Sequence, residues 1–278
     1  MTAGPGTKKP GSDDMRVALP FGVAALRDDE PVPNFLDEDM TNERIFQSGD
    51  DMLAAMVKET VERLEFAIAT RGHASMAVAG GRFPKPLFEK LSTVKLDWSK
   101  VTVTLGDDRW VGLDDDQSNE KLVRDHFLIN EAQHARFVSL KTGDANPEDA
   151  ISTVSSRLRT DLNWPLDIVY LGMGDDGHTA SLFPSSAPDA LQKGLYPAHG
   201  ELVAAARPTV SPVPRISMTL PAILNARYIG IHITGQSKWS TFETAKNGTE
   251  IEEMPVRAIL QQTDIPVDLW WSAENPKG

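Results

Sequence analysis

The chain predicts an α/β fold, with a doubly wound, mostly parallel sheet and helices on both faces. Three observations carry that expectation. Short apolar runs rich in Val, Ile and Ala alternate with segments of helical periodicity along most of the 278 residues, as in a sheet built from βα units. The runs are largely continuous in their apolar character, as strands covered on both faces require. Glycines and charged residues gather directly after several of them, and in open α/β sheets that is where ligands bind. Residues 15–278 are expected to form a single domain, and residues 1–14, rich in Gly, Pro, Lys and Asp without apolar periodicity, a disordered tail.

Composition narrows the functional classes. The hydrophobic share of 40% supports a sizeable core. Lys and Arg total 28 against 40 Asp and Glu, and a net charge of -12 leaves no electrostatic footprint for nucleic acid or an anionic membrane. An anionic ligand therefore needs local basic groups. The chain has no cysteine, which excludes disulfides, thiolate metal sites and cysteine nucleophiles. No run approaches the roughly 20 apolar residues of a membrane span, and the N-terminus lacks the apolar core of a signal peptide. A cytoplasmic protein, monomeric or weakly homo-oligomeric, is expected.

In chain order, Arg16 to Pro20 reads as an edge strand and Phe21 to Phe46, with Pro31, Pro33 and many acids, as irregular entry structure. Leu53, Val57, Val61, Leu64 and Ile68 recur at helical spacing, so a helix over 50–70 should stop near Arg71-Gly72. Ala74 to Ala79 is a strand running into Gly80-Gly81, and Pro84 opens a helix through Leu91. Such a glycine turn is either a plain reversal or a presentation of backbone N–H groups to a phosphate. Val101 to Leu105 is the next strand, ending in Gly106-Asp-Asp-Arg-Trp110. Arg109 there either pairs with Asp107 or Asp108, or turns its planar fork on phosphate oxygens.

Ser118 should cap a helix reaching about Leu128, because its side-chain oxygen can accept from an orphan N–H. Arg136 to Leu140 reads as a strand, and Pro147 begins a helix ending near Asp161. Asp167 to Leu171 is a buried strand that stops in Gly172, Gly174 and Gly177, with Asp175, Asp176 and His178 among them. Leu202 to Ala206 is another strand, Arg207 to Pro214 a proline-rich loop, and Arg215 to Pro221 a strand passing into a short helix around Ala222 to Ala226. Tyr228 to Ile233 is strongly β-prone and ends at Thr234-Gly235, with Lys238 on the following helix. Pro255 to Gln261 is a last helix, and Val267 to Ser272 a last strand whose Trp270 and Trp271 belong to the core or a sheet face.

These strand ends bring Gly80-Gly81, Arg109, His178 and Lys238 to one edge of the sheet. A histidine transfers protons near neutral pH because its unperturbed pKa is about 6.5, and a neighbouring carboxylate can fix its tautomer. Asp176, two residues before His178, is the candidate orienter, with Asp175 the alternative. The plainer use of the same residues is a glycine turn whose aspartates cap the next helix. The six histidines show no metal-ligand spacing, and Ser181 lies in no Gly-x-Ser-x-Gly elbow. Water activated by His178 is then simpler than a serine or metal mechanism.

Gly172-Met-Gly-Asp-Asp-Gly-His-Thr-Ala-Ser-Leu-Phe-Pro184 closely resembles the signature of the 6-phosphogluconolactonase family. Gly80-Gly81 with Pro84 resembles that family's Ser-Gly-Gly-x-Thr-Pro turn, and Asp107-Asp-Arg-Trp-Val111 its Asp-Glu-Arg-x-Val segment, with Ser118-Asn119 following. Arg215 to Pro221 and Gly235-Gln-Ser-Lys238 match its later motifs, so the resemblance spans about residues 50 to 272. Ala79, Arg82, Phe83 and Asp108 depart from the pattern. The resemblance implies the Rossmann-like, sugar-phosphate isomerase type of fold and hydrolysis of a phosphorylated sugar lactone without metal or organic cofactor. It implies His178 as general base oriented by Asp176, and Arg109, Arg215 and Lys238 on the phosphate. Gly80, Gly81, Arg82, Gly174 and Gly177 complete the expected substrate-binding set. A glucosamine-6-phosphate deaminase or isomerase shares the turn but continues Ala-Phe-Asn-Glu-Pro, where this chain has Ala180-Ser-Leu-Phe-Pro184. A non-catalytic sugar-phosphate sensor is the alternative from another class.

Overall fold

The computed structural model describes residues 41–81 and 83–277, and the edge strand expected at 16–20 and the tail at 1–14 lie outside them. In chain order the described elements are β1 (Thr41–Phe46), α1 (Gly49–Arg71), β2 (Ala74–Val78), α2 (Pro84–Ser92), β3 (Val101–Leu105), β4 (Asp107–Arg109), α3 (Asn119–His126) and β5 (Arg136–Phe137). There follow α4 (Pro147–Asp161), β6 (Ile168–Gly172), α5 (Pro188–Leu195), β7 (Val203–Ala206), β8 (Arg215–Met218), α6 (Leu220–Ile223), β9 (Ile229–Thr234), α7 (Gln236–Asn247), α8 (Arg257–Leu260) and β10 (Val267–Ser272).

Seven of these strands form one sheet in the order β1-β10-β9-β6-β2-β3-β5, and every pairing in it is parallel. β2, β3 and the first four residues of β6 are buried throughout, which explains their continuous apolar character. The strand order reverses between β2 and β6, so the loops after these two strands flank a topological switch point. Those loops are Gly80-Gly81 and the stretch from Met173 to His178.

The helices follow local rules. Ser48 caps α1 by accepting from Asp51 N at 3.1 Å, and Gly72 ends it with φ of 79°, a conformation that favours glycine. The face α1 buries runs through Met52, Leu53, Met56, Leu64 and Ala67, with Val57, Val61 and Ile68 at its margins. Ser118 caps α3 as its residue type predicts, accepting from Lys121 N at 3.2 Å.

Four expectations need correction. Residues 41–46 are strand β1 rather than irregular, paired to β10 in register. Their polar sequence hides this, because an edge strand buries little and is held here by the Arg44–Asp268 ion pair at 2.6 Å. The strand expected over 136–140 shortens to the two residues of β5. The helix placed at 222–226 begins at Leu220 and ends at Ile223. The segment after Gly106, a polar cluster for which no strand is expected, contains β4, which joins β8 and β7 in a separate antiparallel sheet of order β4-β8-β7. Helix α5 also went unanticipated. Trp270 is fully buried, while Trp271 is half-buried against the core.

Candidate active site

A cavity of about 360 Å³ opens at the switch point, a size typical of small-molecule sites. Gly80, Gly81, Arg109, Gly174, His178, Arg215 and Lys238 all contribute to its walls. Asp176 stands behind His178 rather than on the wall, and Gly177 lies outside the lining. Arg82 is outside the described residues.

On the β6 side, the Asp176 carboxylate accepts from His178 twice, at Nδ1 (2.5 Å) and at the backbone N (3.1 Å). Burial pushes the Asp176 carboxyl up, but the hydrogen bonds and charge of His178 outweigh it, and the net direction is down. An ionised carboxylate can only accept, so Nδ1 is the donor in this pair, and in the neutral tautomer that leaves the lone pair on Nε2. Gly174 makes this pairing possible, since a Cβ there would lie 2.0 Å from His178 Nδ1. Gly177, with φ of 76°, serves packing: a Cβ would meet Met254 at 2.7 Å, and its carbonyl accepts from Val256 N.

The residues after the histidine lock its loop to the second sheet. Ser181 Oγ donates to the buried Asp107 carboxylate, and Ser181 N donates to Ser217 Oγ at 3.1 Å. Phe183 stacks on the His178 ring with centroids 4.0 Å apart, and the Arg215 guanidinium sits 5.0 Å from the centroid of the same phenyl ring. The Ser-Leu-Phe stretch thus supports both the imidazole and a cation.

The cationic wall depends on the sheet that the sequence concealed. Arg109 on β4 and Arg215 on β8 are direct cross-strand partners. Like charges opposed in this way are destabilising unless an anion sits between or near them. Burial, followed by the adjacent Arg109 charge, moves the Arg215 guanidinium below its ordinary value despite Asp107. Its Nε is buried without a hydrogen-bond partner among the described residues, and the carboxylate of Asp107 is 3.9 Å from Nη1. Arg109 is aimed by Asn119, whose Oδ1 accepts from Nη1 and whose Nδ2 donates to Asp107 O at 2.8 Å. Gly80 leaves room for this amide, because a Cβ there would fall 1.8 Å from Asn119 Oδ1. Lys238 projects from α7 and is 3.0 Å from Asp175.

Asp108 faces away from the cavity lining. Its oxygens accept from the backbone N of Arg109, Asn119 and Glu120, and Lys141 Nζ lies 3.3 Å away. It anchors β4 to the start of α3. Asn119, Asp107, Phe83, Thr234 and His232 also line the cavity and were not singled out as site residues. Asn119 carried a signal, its place beside the cap residue Ser118, whereas His232 within an apolar strand carried none.

Together the fold and site define a doubly wound α/β protein with a histidine–carboxylate pair facing clustered guanidinium groups across a switch-point cleft. The chain belongs to the family of glucosamine-6-phosphate isomerases and 6-phosphogluconolactonases, whose family model matches residues 47–271. It is similar to a 6-phosphogluconolactonase of Rhizobium meliloti (strain 1021), 39% identical over 231 residues covering 83% of this chain and 98% of the relative. A 6-phosphogluconolactonase of Pseudomonas putida is 41% identical over 225 residues, covering 79% of this chain and 88% of its own. A crystal structure of a 6-phosphogluconolactonase from Shewanella baltica OS155 matches with a TM-score of 0.80 and 39% identity, covering 84% of this chain and 98% of that one.

Proposed function

We propose that this protein hydrolyses 6-phospho-D-glucono-1,5-lactone to 6-phosphogluconate, the ring-opening step of the oxidative pentose phosphate pathway, with His178 activating the water. The observation that carries this reading is His178, backed by Asp176, on the wall of a cavity that Arg109 and Arg215 share.

The lone pair on Nε2 of His178 takes a proton from water as its oxygen bonds to C1 of the lactone. The resulting imidazolium is stabilised by the ionised Asp176. When the tetrahedral intermediate collapses, the C1–O5 bond breaks and the imidazolium returns its proton to O5. Negative charge on the C1 oxygen needs backbone donors. In the histidine turn, Gly174 N already donates to His178 O and Gly177 N to Gly174 O, so the Gly80-Gly81 turn is the better source. Arg109 and Arg215 bind the phosphate, and Lys238, poised on Asp175, joins them. Net ring opening by water changes no oxidation state, so the step as written requires no redox cofactor.

The test is direct. The lactone is generated with glucose-6-phosphate dehydrogenase and its decay followed with and without the purified protein. Loss faster than spontaneous hydrolysis is expected, and an unchanged rate rejects the assignment.

A further inference from the structure

His232 has no part in the chemistry above, yet it lines the same cavity. It lies within β9 between Ile231 and Ile233 and is only 5% exposed. Its ring stacks on Phe83, with centroids 4.5 Å and planes 28° apart, which fixes the plane of the imidazole. Its register neighbours are Trp270 on β10 and Gly172 on β6. Gly172 has no side chain, and a Cβ added there would meet nothing within 4 Å, so the cavity extends over the strand end beside His232.

Two properties define what this imidazole can bind. Burial lowers its pKa to about 4, so the ring is neutral near neutral pH. Its Nδ1 is buried without a hydrogen-bond partner among the described residues. An unpaired buried nitrogen carries a desolvation cost that an apolar residue in the same strand would avoid. Arg109, Arg215 and Lys238 already supply positive charge to this cavity, and a neutral ring adds none. A nitrogen of a neutral imidazole is either a donor or an acceptor, and a hydroxyl can answer either one. The adjacent glycine turn, running from Ala79 to Phe83, has no hydroxyl of its own with which to read a sugar.

We propose that His232 is a specificity residue that hydrogen-bonds a ring hydroxyl of the substrate, an inference that rests on the lactonase reading. The Phe83 stack holds the ring in place, and the glycine at 172 gives the sugar access to it.

The experiment compares kcat/KM for the full lactone with its 2-deoxy, 3-deoxy and 4-deoxy counterparts, in the wild-type protein and in His232→Phe. Phenylalanine keeps an aromatic ring against Phe83 and removes both nitrogens. The full lactone should lose on the order of 10-fold or more. The deoxy lactone lacking the contacted hydroxyl should be turned over almost equally by both proteins. His232→Gln, which restores a hydrogen-bonding group, should recover part of the loss. Equal losses on all four lactones, or no loss on any, overturn the proposal. Wild-type protein alone gives a second check that needs no variant to fold: it must disfavour at least one deoxy lactone by about 10-fold. A wild-type protein active on all four without discrimination sinks this inference and leaves the lactonase reading standing. A wild-type protein inactive on the full lactone removes both.

Discussion

His178 owes its geometry to three neighbours: Asp176 at Nδ1, Phe183 against the ring and Gly174 beneath it. His178→Ala should lower kcat by about 10²- to 10⁴-fold with little change in KM, the mark of a group acting in the transition state. Asp176→Asn should also lower kcat, because an amide neither fixes the tautomer nor stabilises the imidazolium. Steady-state kinetics on the enzymatically generated lactone checks both, and a His178→Ala protein of near-normal kcat would move the base elsewhere. The pair was legible in the sequence because its members are two residues apart in one turn. Gly177 and Phe183 were not, since the packing of one on Met254 and the stacking of the other on His178 are contacts the fold creates.

The parallel sheet could be read from its strands because all but the polar edge strand β1 and the two-residue β5 are short apolar runs, whereas the antiparallel β4-β8-β7 sheet left a weaker trace. β4 is only Asp107-Asp-Arg, and its charges look like a loop until pairing with β8 is seen. That small sheet places Arg109 and Arg215 side by side, which strand-end reasoning alone did not. β4 is also tied to α3 through Asn119, which packs against Gly80 in the turn after β2, so the arginine wall depends on how closely that turn approaches α3. Gly80→Ala should displace Asn119, release Arg109 and raise KM on the order of 10-fold, the scale of a lost hydrogen bond to a charged group. Arg109→Ala should raise KM similarly, and the double variant should be no worse than the poorer single one, because both act through one interaction. Additive effects in this cycle would disconnect Gly80 from the arginine.

Across the whole molecule, the net charge of -12 makes the cavity an island of positive charge in an acidic protein, and several carboxylates outside the cavity lining are buried. Burial pushes up the carboxyls of Asp108, Asp167 and Asp268, even with Lys141, Arg71 and Arg44 respectively beside them. Groups raised on folding bind protons more readily in the native state. Their contribution is therefore full below the unfolded value of 3.8 and is lost as pH rises through their native values. His232 works in the opposite sense. Its native pKa of about 4 lies below the ordinary 6.5, so the stability it contributes is present above 6.5 and drains away as pH falls through 4. At ~1.4 kcal/mol per pH unit, the whole effect amounts to about 3 kcal/mol. Denaturant unfolding of wild type and His232→Phe at pH values from 7 to 4 should show the stability difference between them shifting toward the variant on acidification. The aspartates titrate in both proteins and cancel in that difference. A difference constant with pH would mean that His232 is not held neutral by the fold, and the imidazole would then have to find water or a partner that its buried Nδ1 lacks among the described residues.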